Sequence, residues 1–287
     1  MTQADTRKLL VLGGSGFVGG TIVSYFNCPG TSFRQREGFL QCDARHIESL
    51  GRVVEKIEPG VVINCVGLAN VDTAEKEPEL ARELNVGPVA NLVHLQQQMN
   101  FTLVHISTDY VFSGELGMRR ETDSTGPVNV YGRTKLDGEK EALLGQRSII
   151  LRISTPFGRG TGPAKKQFFE YVIGKLSEGE VVKAVEDQIV TSTYLPDLAS
   201  AIDMLLNRDA EGIFHITSLD AVSRYEFAKK VATLKGLDAG LIEPVKMKDI
   251  SGWLARRPRD TSLDVSLSRK YGVQYTPLGE ALRNLLV

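Results

Sequence analysis

Short apolar runs alternate with stretches in which apolar residues recur at helical spacing. KLLVL (8–12) stops at a glycine, and GVVINCVG (60–67), TLVHIST (Thr102–Thr108) and SIILRIS (148–154) repeat the pattern. Runs apolar on consecutive positions suit strands covered on both faces, as in a parallel sheet. Between them, SGFVGGTIVSYF (15–26), IESLGRVVEKI (47–57), PELARELN (78–85), PVANLVHLQQQM (88–99) and GRTKLDGEKEALL (132–144) carry helical periodicity. Pro78 and Pro88 fall where each would occupy a first helical turn, a position that loses no hydrogen bond to proline. The alternation predicts a doubly wound α/β fold around a parallel sheet.

After Ser154 the texture changes. TPFGRGTGPAKKQ (155–167) reads as loop, and the remainder of the chain is less regular, although IFHITS (213–218) still reads as a strand. The expected organisation is residues 1–154 as a nucleotide-binding domain, joined by strands from about 185–217, and 155–287 mainly as a smaller C-terminal α/β lobe that holds substrate.

Composition narrows the possibilities. The 287 residues suffice for one large domain with an added lobe, and 34 basic against 35 acidic residues give a formal charge of −1. That balance argues against nucleic acid or an anionic membrane surface as partner. Cys28, Cys42 and Cys65 have no paired or metal-like spacing, so no metal is expected, and an odd count fits a reducing compartment. The lead MTQADTRKLLVLGGSG has an apolar run too short for a secretory signal or a membrane span, which makes the cytoplasm the expected location.

Gly13, Gly16 and Gly19 form GxxGxxG between a predicted strand and a predicted helix. Such a turn lets the chain reverse tightly and lets a pyrophosphate approach backbone amides at the helix start. About 20 residues on, where an acidic group would bind the ribose hydroxyls of NAD, the chain offers SFRQRE. Arg34 and Arg36 match a 2′-phosphate and favour NADP(H), two solvated arginines are a nearly equal reading, and Glu37 leaves NAD(H) open. Asp43 is a candidate acceptor for the adenine amino group or a cap for the next helix.

Tyr131 and Lys135 stand at i and i+4 and would share a helix face. An ammonium beside a phenol, together with an oxidised nicotinamide nearby, favours the phenolate and makes the tyrosine a usable general acid or base. Thr108 ends a predicted strand, where doubly wound sheets place their ligands, and its hydroxyl can bond a carbonyl oxygen beside Tyr131 or simply the backbone.

In combining this glycine turn, strand-end hydroxyl and tyrosine-lysine pair, the chain resembles the extended short-chain dehydrogenase/reductase superfamily and its Rossmann-type sheet. HISTDYVFSG, NVYGRTKLDGEK and NCVGLANVDTAEKEP, with DQIVTSTYLPDLA, GIFHITSLDAVSRYEFA and RPRDTSLD later in order, resemble the dTDP-4-dehydrorhamnose reductase family over nearly the whole length. The resemblance implies Thr108, Tyr131 and Lys135 as catalytic residues, with Tyr131 protonating a ketone oxygen as hydride arrives. It implies Gly13, Gly16, Phe17, Val18, Gly19, Cys65, Val66 and Gly67 beside the cofactor, and Asn70, Val71, Asp109, Tyr110 and Phe157 beside a nucleotide-sugar substrate. Asn85 matches a structural helix asparagine, or caps its helix end. A dehydratase would carry an Asp-Glu pair after the threonine; Asp109 is followed by Tyr110, which favours reduction. Pro156 stands where the family has an aromatic residue, with Phe157 the neighbouring ring. Arg256, Arg257 and Arg259 read as a solvated cluster or as diphosphate ligands, and Trp253 as a packing residue. Alternatives are a reductase or epimerase of another nucleotide sugar, and a non-catalytic NADP-binding regulator resembling the subunit that binds methionine adenosyltransferase. A homodimer is a further candidate assembly.

Overall fold

The computed structural model describes residues 7–159 and 168–286. The loop expected over 155–167 is therefore described as far as 159, and residues 160–167 lie outside the described residues. In chain order the elements of the first half are β1 (Leu9–Leu12), α1 (Phe17–Phe26), β2 (Thr31–Ser32), β3 (Leu40–Gln41), α2 (Ile47–Ile57), β4 (Val61–Asn64), α3 (Val71–Lys76), α4 (Pro78–Asn85), α5 (Gly87–Gln96), β5 (Thr102–Thr108), α6 (Val130–Ala142) and β6 (Ser148–Ile153). The second half holds α7 (Phe168–Ser177), β7 (Val182–Val185), β8 (Ile189–Thr191), α8 (Leu195–Asn207), β9 (Gly212–His215), β10 (Ala221–Ser223), α9 (Arg224–Lys235), β11 (Ile242–Val245), α10 (Ser266–Lys270) and α11 (Leu278–Leu286).

The central sheet runs β1-β4-β5-β6-β9, every pairing parallel. The two-residue pair β2 and β3 lies on the other side of β1, bridged through Val11 and Gly30. The chain thus winds outward from β1 in one direction and returns through β4 in the other. That reversal places a crevice beyond the carboxyl ends of β1 and β4, where open α/β sheets bind ligands.

Both faces are covered, as the unbroken apolar runs require. Leu9, Val11, Ile63, Val104 and Ile106 pack against Ile22 of α1 and Leu198, Ile202 and Leu205 of α8. The alternate positions Leu10, Leu12, Val62 and Leu103 pack against Leu50 and Val54 of α2 and Leu92 of α5. A separate cluster joins Phe169 and Val172 of α7, Val182 of β7, Phe227 and Val231 of α9, and Leu278 and Leu282 of α11. This part also holds two small sheets, β8 with β10 antiparallel and β7 with β11 parallel. β9, from the segment that reads as a strand within the irregular half, forms the edge of the central sheet. No helix among the described residues is long and apolar enough to cross a membrane.

Candidate active site

The glycine turn leaves β1 through Gly13, at φ +71°, a left-handed conformation that disfavours side chains. Gly16 is the N-cap of α1 and has no side chain to satisfy the first amides of that helix. A Cβ on Gly19 would run into the Gly13 carbonyl oxygen, so the helix start and strand end touch backbone to backbone. The turn is braced by Thr31, whose Oγ1 accepts the Gly13 amide at 3.1 Å, and by Ser32, whose Oγ lies 3.1 Å from that of Ser15. Unsatisfied first-turn amides under a bare backbone fit the pyrophosphate of a dinucleotide.

Beyond β2, Arg36 reaches back and donates from Nη1 to the Ser15 carbonyl at 3.2 Å, with its guanidinium over the Phe39 ring. Arg34 and Glu37 are exposed. Asp43 does not cap α2. Its carboxylate is gripped by Arg45, Nε at 2.8 Å and Nη2 at 2.7 Å, and this holds it below the usual aspartate range. The N-cap of α2 is His46, three residues later and without a side-chain bond. Residue types alone give no sign of this, because the capping and adenine readings assume that the neighbouring arginine points elsewhere.

A cavity of about 380 Å³ opens beside the crevice. Val18 of α1, Cys65 to Leu68 after β4, Ser107 to Tyr110 at the end of β5, and Tyr131 and Lys135 of α6 line it. Phe157, Phe168 and Phe169, Val190, and Val222 to Arg224 with Phe227 also line it. Thr108, Tyr131 and Lys135 therefore share one cavity with Val18, Cys65, Val66, Gly67, Val71, Asp109, Tyr110 and Phe157. Asn70 is exposed and caps α3, its Oδ1 accepting the Thr73 amide at 2.9 Å.

The placement of α6 explains the arrangement. Asn129 caps it by accepting the Gly132 amide at 2.8 Å, and Glu75 accepts the Val130 amide at 2.9 Å. Gly132 lies so close to the Tyr110 carbonyl that any Cβ would collide with it, and this contact brings Tyr131 over the end of β5. Burial pushes the Tyr131 phenol above its ordinary range, opposed by the neighbouring Thr108 hydroxyl. Its ring meets that of Tyr110 edge-on at 5.7 Å.

One turn on, Lys135 donates from Nζ to the Ile106 carbonyl at 2.6 Å. Burial lowers its pKa to about 8, opposed by Glu139 and Cys65. A further turn along, Glu139 binds Arg152 of β6 through both oxygens, 2.9 and 2.7 Å, and accepts the Ser107 hydroxyl. Cys65 is raised to about 12 by burial. Asn85 is not a helix-end cap: its Oδ1 accepts the Leu68 amide at 2.8 Å and its Nδ2 donates to Thr134 at 2.9 Å, tying the cavity-lining loop after β4 to α6.

Asp109 lines the cavity, but its carboxylate accepts three hydroxyls, those of Thr108 at 3.0 Å, Ser154 at 2.7 Å and Thr261. Burial raises its pKa against those bonds. Phe157 packs between Tyr194 and Phe227, each ring at 5.5 Å. Of the late arginines, Arg257 binds Asp72 at 2.7 Å and stacks on Trp253, while Arg256 and Arg259 are exposed.

Sequence reading passes over Arg224. It lies at the start of α9 in the cavity wall with its guanidinium over Phe168, and it makes no salt bridge among the described residues. A single basic residue beside a serine and glutamate capping box gives no sign of facing a cleft built by segments a hundred residues away.

Comparisons with known proteins agree with this architecture. The family model described as the RmlD substrate binding domain matches residues 7–287. A dTDP-4-dehydrorhamnose reductase of Aggregatibacter actinomycetemcomitans is 30% identical, with 97% of this chain and 98% of the relative covered. Subunit beta of methionine adenosyltransferase 2 from Mus musculus is 28% identical over 98% of this chain and 87% of its own. Among solved structures, dTDP-4-dehydrorhamnose reductase of Bacillus anthracis strain Ames in complex with NADP superposes with TM-score 0.85 at 28% identity, covering 97% of this chain and 98% of that one.

Proposed function

The chain belongs to the RmlD substrate binding domain family, and we propose that it is an NADPH-dependent reductase of the 4-keto group of a nucleotide-linked 6-deoxysugar, dTDP-4-dehydro-L-rhamnose foremost. The observation that carries this reading is the convergence of Thr108, Tyr131 and Lys135 on a cavity that adjoins the bare glycine turn.

The residues present fit a dinucleotide. The first-turn amides of α1, Phe17 to Gly19, would hold its pyrophosphate, Arg36 and Arg34 its 2′-phosphate, and Cys65 to Gly67 with Lys135 would border the nicotinamide riboside. When bound, the cofactor supplies the hydride. Tyr131, kept protonated by its burial, donates its phenolic proton to the developing alkoxide. Thr108 holds the same oxygen by a hydrogen bond and keeps it in line with the phenol. Lys135 stands one helical turn from Tyr131, and in its ammonium form it eases the departure of the proton. Tyr110, its hydroxyl accepting from Gln188 at 3.2 Å, packs its ring against Tyr131 and limits the positions open to the sugar. Arg224 offers a guanidinium to the anionic part of the substrate.

A second reading, a cofactor-binding regulator like the mouse subunit, would leave this acid without a task. The deciding experiment measures NADPH oxidation with dTDP-4-dehydro-L-rhamnose for the wild type and Tyr131→Phe, with NADPH binding followed separately. Turnover lost in the variant while binding persists supports the reductase. Tight NADPH binding with no wild-type turnover on this or related ketosugars would overturn it in favour of the regulator.

A further inference from the structure

Behind Lys135, on the side away from the cavity, three polar groups form a buried chain. Asn64, the last residue of β4, accepts the Val66 amide on Oδ1 at 3.0 Å. A backbone amide only donates, so this bond fixes which end of the Asn64 amide is oxygen. The nitrogen end, Nδ2, then faces Nδ1 of His105 at 3.2 Å. Nδ2 has only hydrogens to offer, so Nδ1 of the imidazole must be the acceptor. Asn64 and His105 are fully buried, and burial keeps the imidazole neutral by holding its pKa well below the usual range. A neutral imidazole whose Nδ1 accepts carries its proton on Nε2. That N–H edge faces Lys135 Nζ at 3.5 Å.

An ammonium has donors only, so in front of this N–H it meets a second donor. A neutral amine has a lone pair that can accept the imidazole proton while one of its own hydrogens still goes to the Ile106 carbonyl. We propose that Asn64 and His105 are positioning residues that bias Lys135 toward its neutral amine, Asn64 by fixing the imidazole tautomer and His105 by presenting an N–H to Nζ. The other ionisable groups facing Lys135 are Tyr131 and Glu139, one turn to either side on α6, and Cys65 after β4. Glu139 favours the ammonium, but its carboxylate is already shared by Arg152 and Ser107. Burial acts in the same direction as the tautomer. The consequence for Tyr131, that the charge beside it is set from the far side of β5, rests on the reductase reading; the tautomer and the lysine charge do not.

The test is nuclear magnetic resonance on the full-length, cofactor-free protein. Long-range proton–nitrogen spectra identify the tautomer of each imidazole, and the chain has 4 histidines. Labelled lysine gives the titration of Lys135, assigned by its loss in Lys135→Met. Wild type should show His105 protonated on Nε2 and Lys135 titrating well below ordinary lysines. Asn64→Asp keeps the size and the acceptor for Val66 but adds a second acceptor and a charge, so it should move the His105 proton to Nδ1 and raise the Lys135 titration point by about one pH unit or more; His105→Gln, which adds no charge and can turn its carbonyl toward Nζ, should raise it as well. The alkaline limb of turnover should shift in the same direction. An Nδ1-protonated His105 in the wild type, or a Lys135 titration that stays put when the tautomer flips, would overturn the proposal. None of the spectroscopic results depends on substrate, so absence of ketosugar turnover would refute the reductase reading alone.

Discussion

The Asp109 carboxylate accepts the hydroxyl of Thr261 across 152 residues of chain, and through it the C-terminal segment is locked to the end of β5. The same carboxylate holds Thr108, the hydroxyl beside Tyr131. Asp109 therefore joins the far end of the chain to the candidate active site. Asp109→Ala leaves three buried hydroxyls short of an acceptor and should cost about 2 kcal/mol of stability, with turnover reduced further than stability explains because Thr108 is freed. Asp109→Asn, which retains an oxygen and the shape, should recover most of the stability in a denaturant titration.

The Glu139 and Arg152 pair is almost fully buried, with side-chain exposures of 2% and 3%. Truncating one partner leaves an uncompensated charge in the interior. Glu139→Ala is expected to destabilise the fold by about 3 to 5 kcal/mol, read from chemical unfolding, and replacement of both partners together should cost less than the sum of the two single changes.

Lys135 links stability to pH. Its folded pKa of about 8 lies below the ordinary 10.5, so between those values the unfolded chain binds more protons and stability rises with pH. The raised pKa values of Tyr131 and Cys65 act oppositely, because the unfolded chain releases their protons first above pH 9 to 10. Unfolding free energies measured from about pH 7.5 to 9.5 should therefore show an upward slope in the wild type relative to Lys135→Met. Parallel curves for the two proteins would show that the lysine is not depressed.

Arg224 provides a test of the anionic end of the substrate. Arg224→Gln should raise the substrate KM by about tenfold or more, the loss of one charge-assisted hydrogen bond, with kcat and the affinity for NADPH little changed. Initial rates at varied substrate read this directly, and an unchanged KM would place the anion elsewhere.

The glycine turn itself should be intolerant of size. Gly19→Val places a branched side chain against the Gly13 carbonyl, and NADPH affinity measured by fluorescence should fall by more than about tenfold.

Much of this protein is legible in its sequence because the signals are local. Apolar runs of four to seven residues bounded by glycine, proline or polar clusters mark β1, β4, β5 and β6, and helical spacing marks α2 and α4 to their ends. The i, i+4 relation of Tyr131 and Lys135 comes from helix geometry, and bare backbone at Gly13 to Gly19 from residue type. The groups these residues face are decided by tertiary structure. Asp43 reads as a cap or a ligand until folding closes Arg45 on it, Asn85 reads as a helix end until β4 brings the Leu68 amide to it, and Arg224 is silent until α9 packs across the cavity. A hydrogen bond or ion pair between distant segments leaves no periodic trace in the chain. Local order of residues was enough for the doubly wound framework and for placing Tyr131 and Lys135 on one helix face; the winding of that framework decided which buried donors and acceptors meet around them, because it alone brings distant segments together.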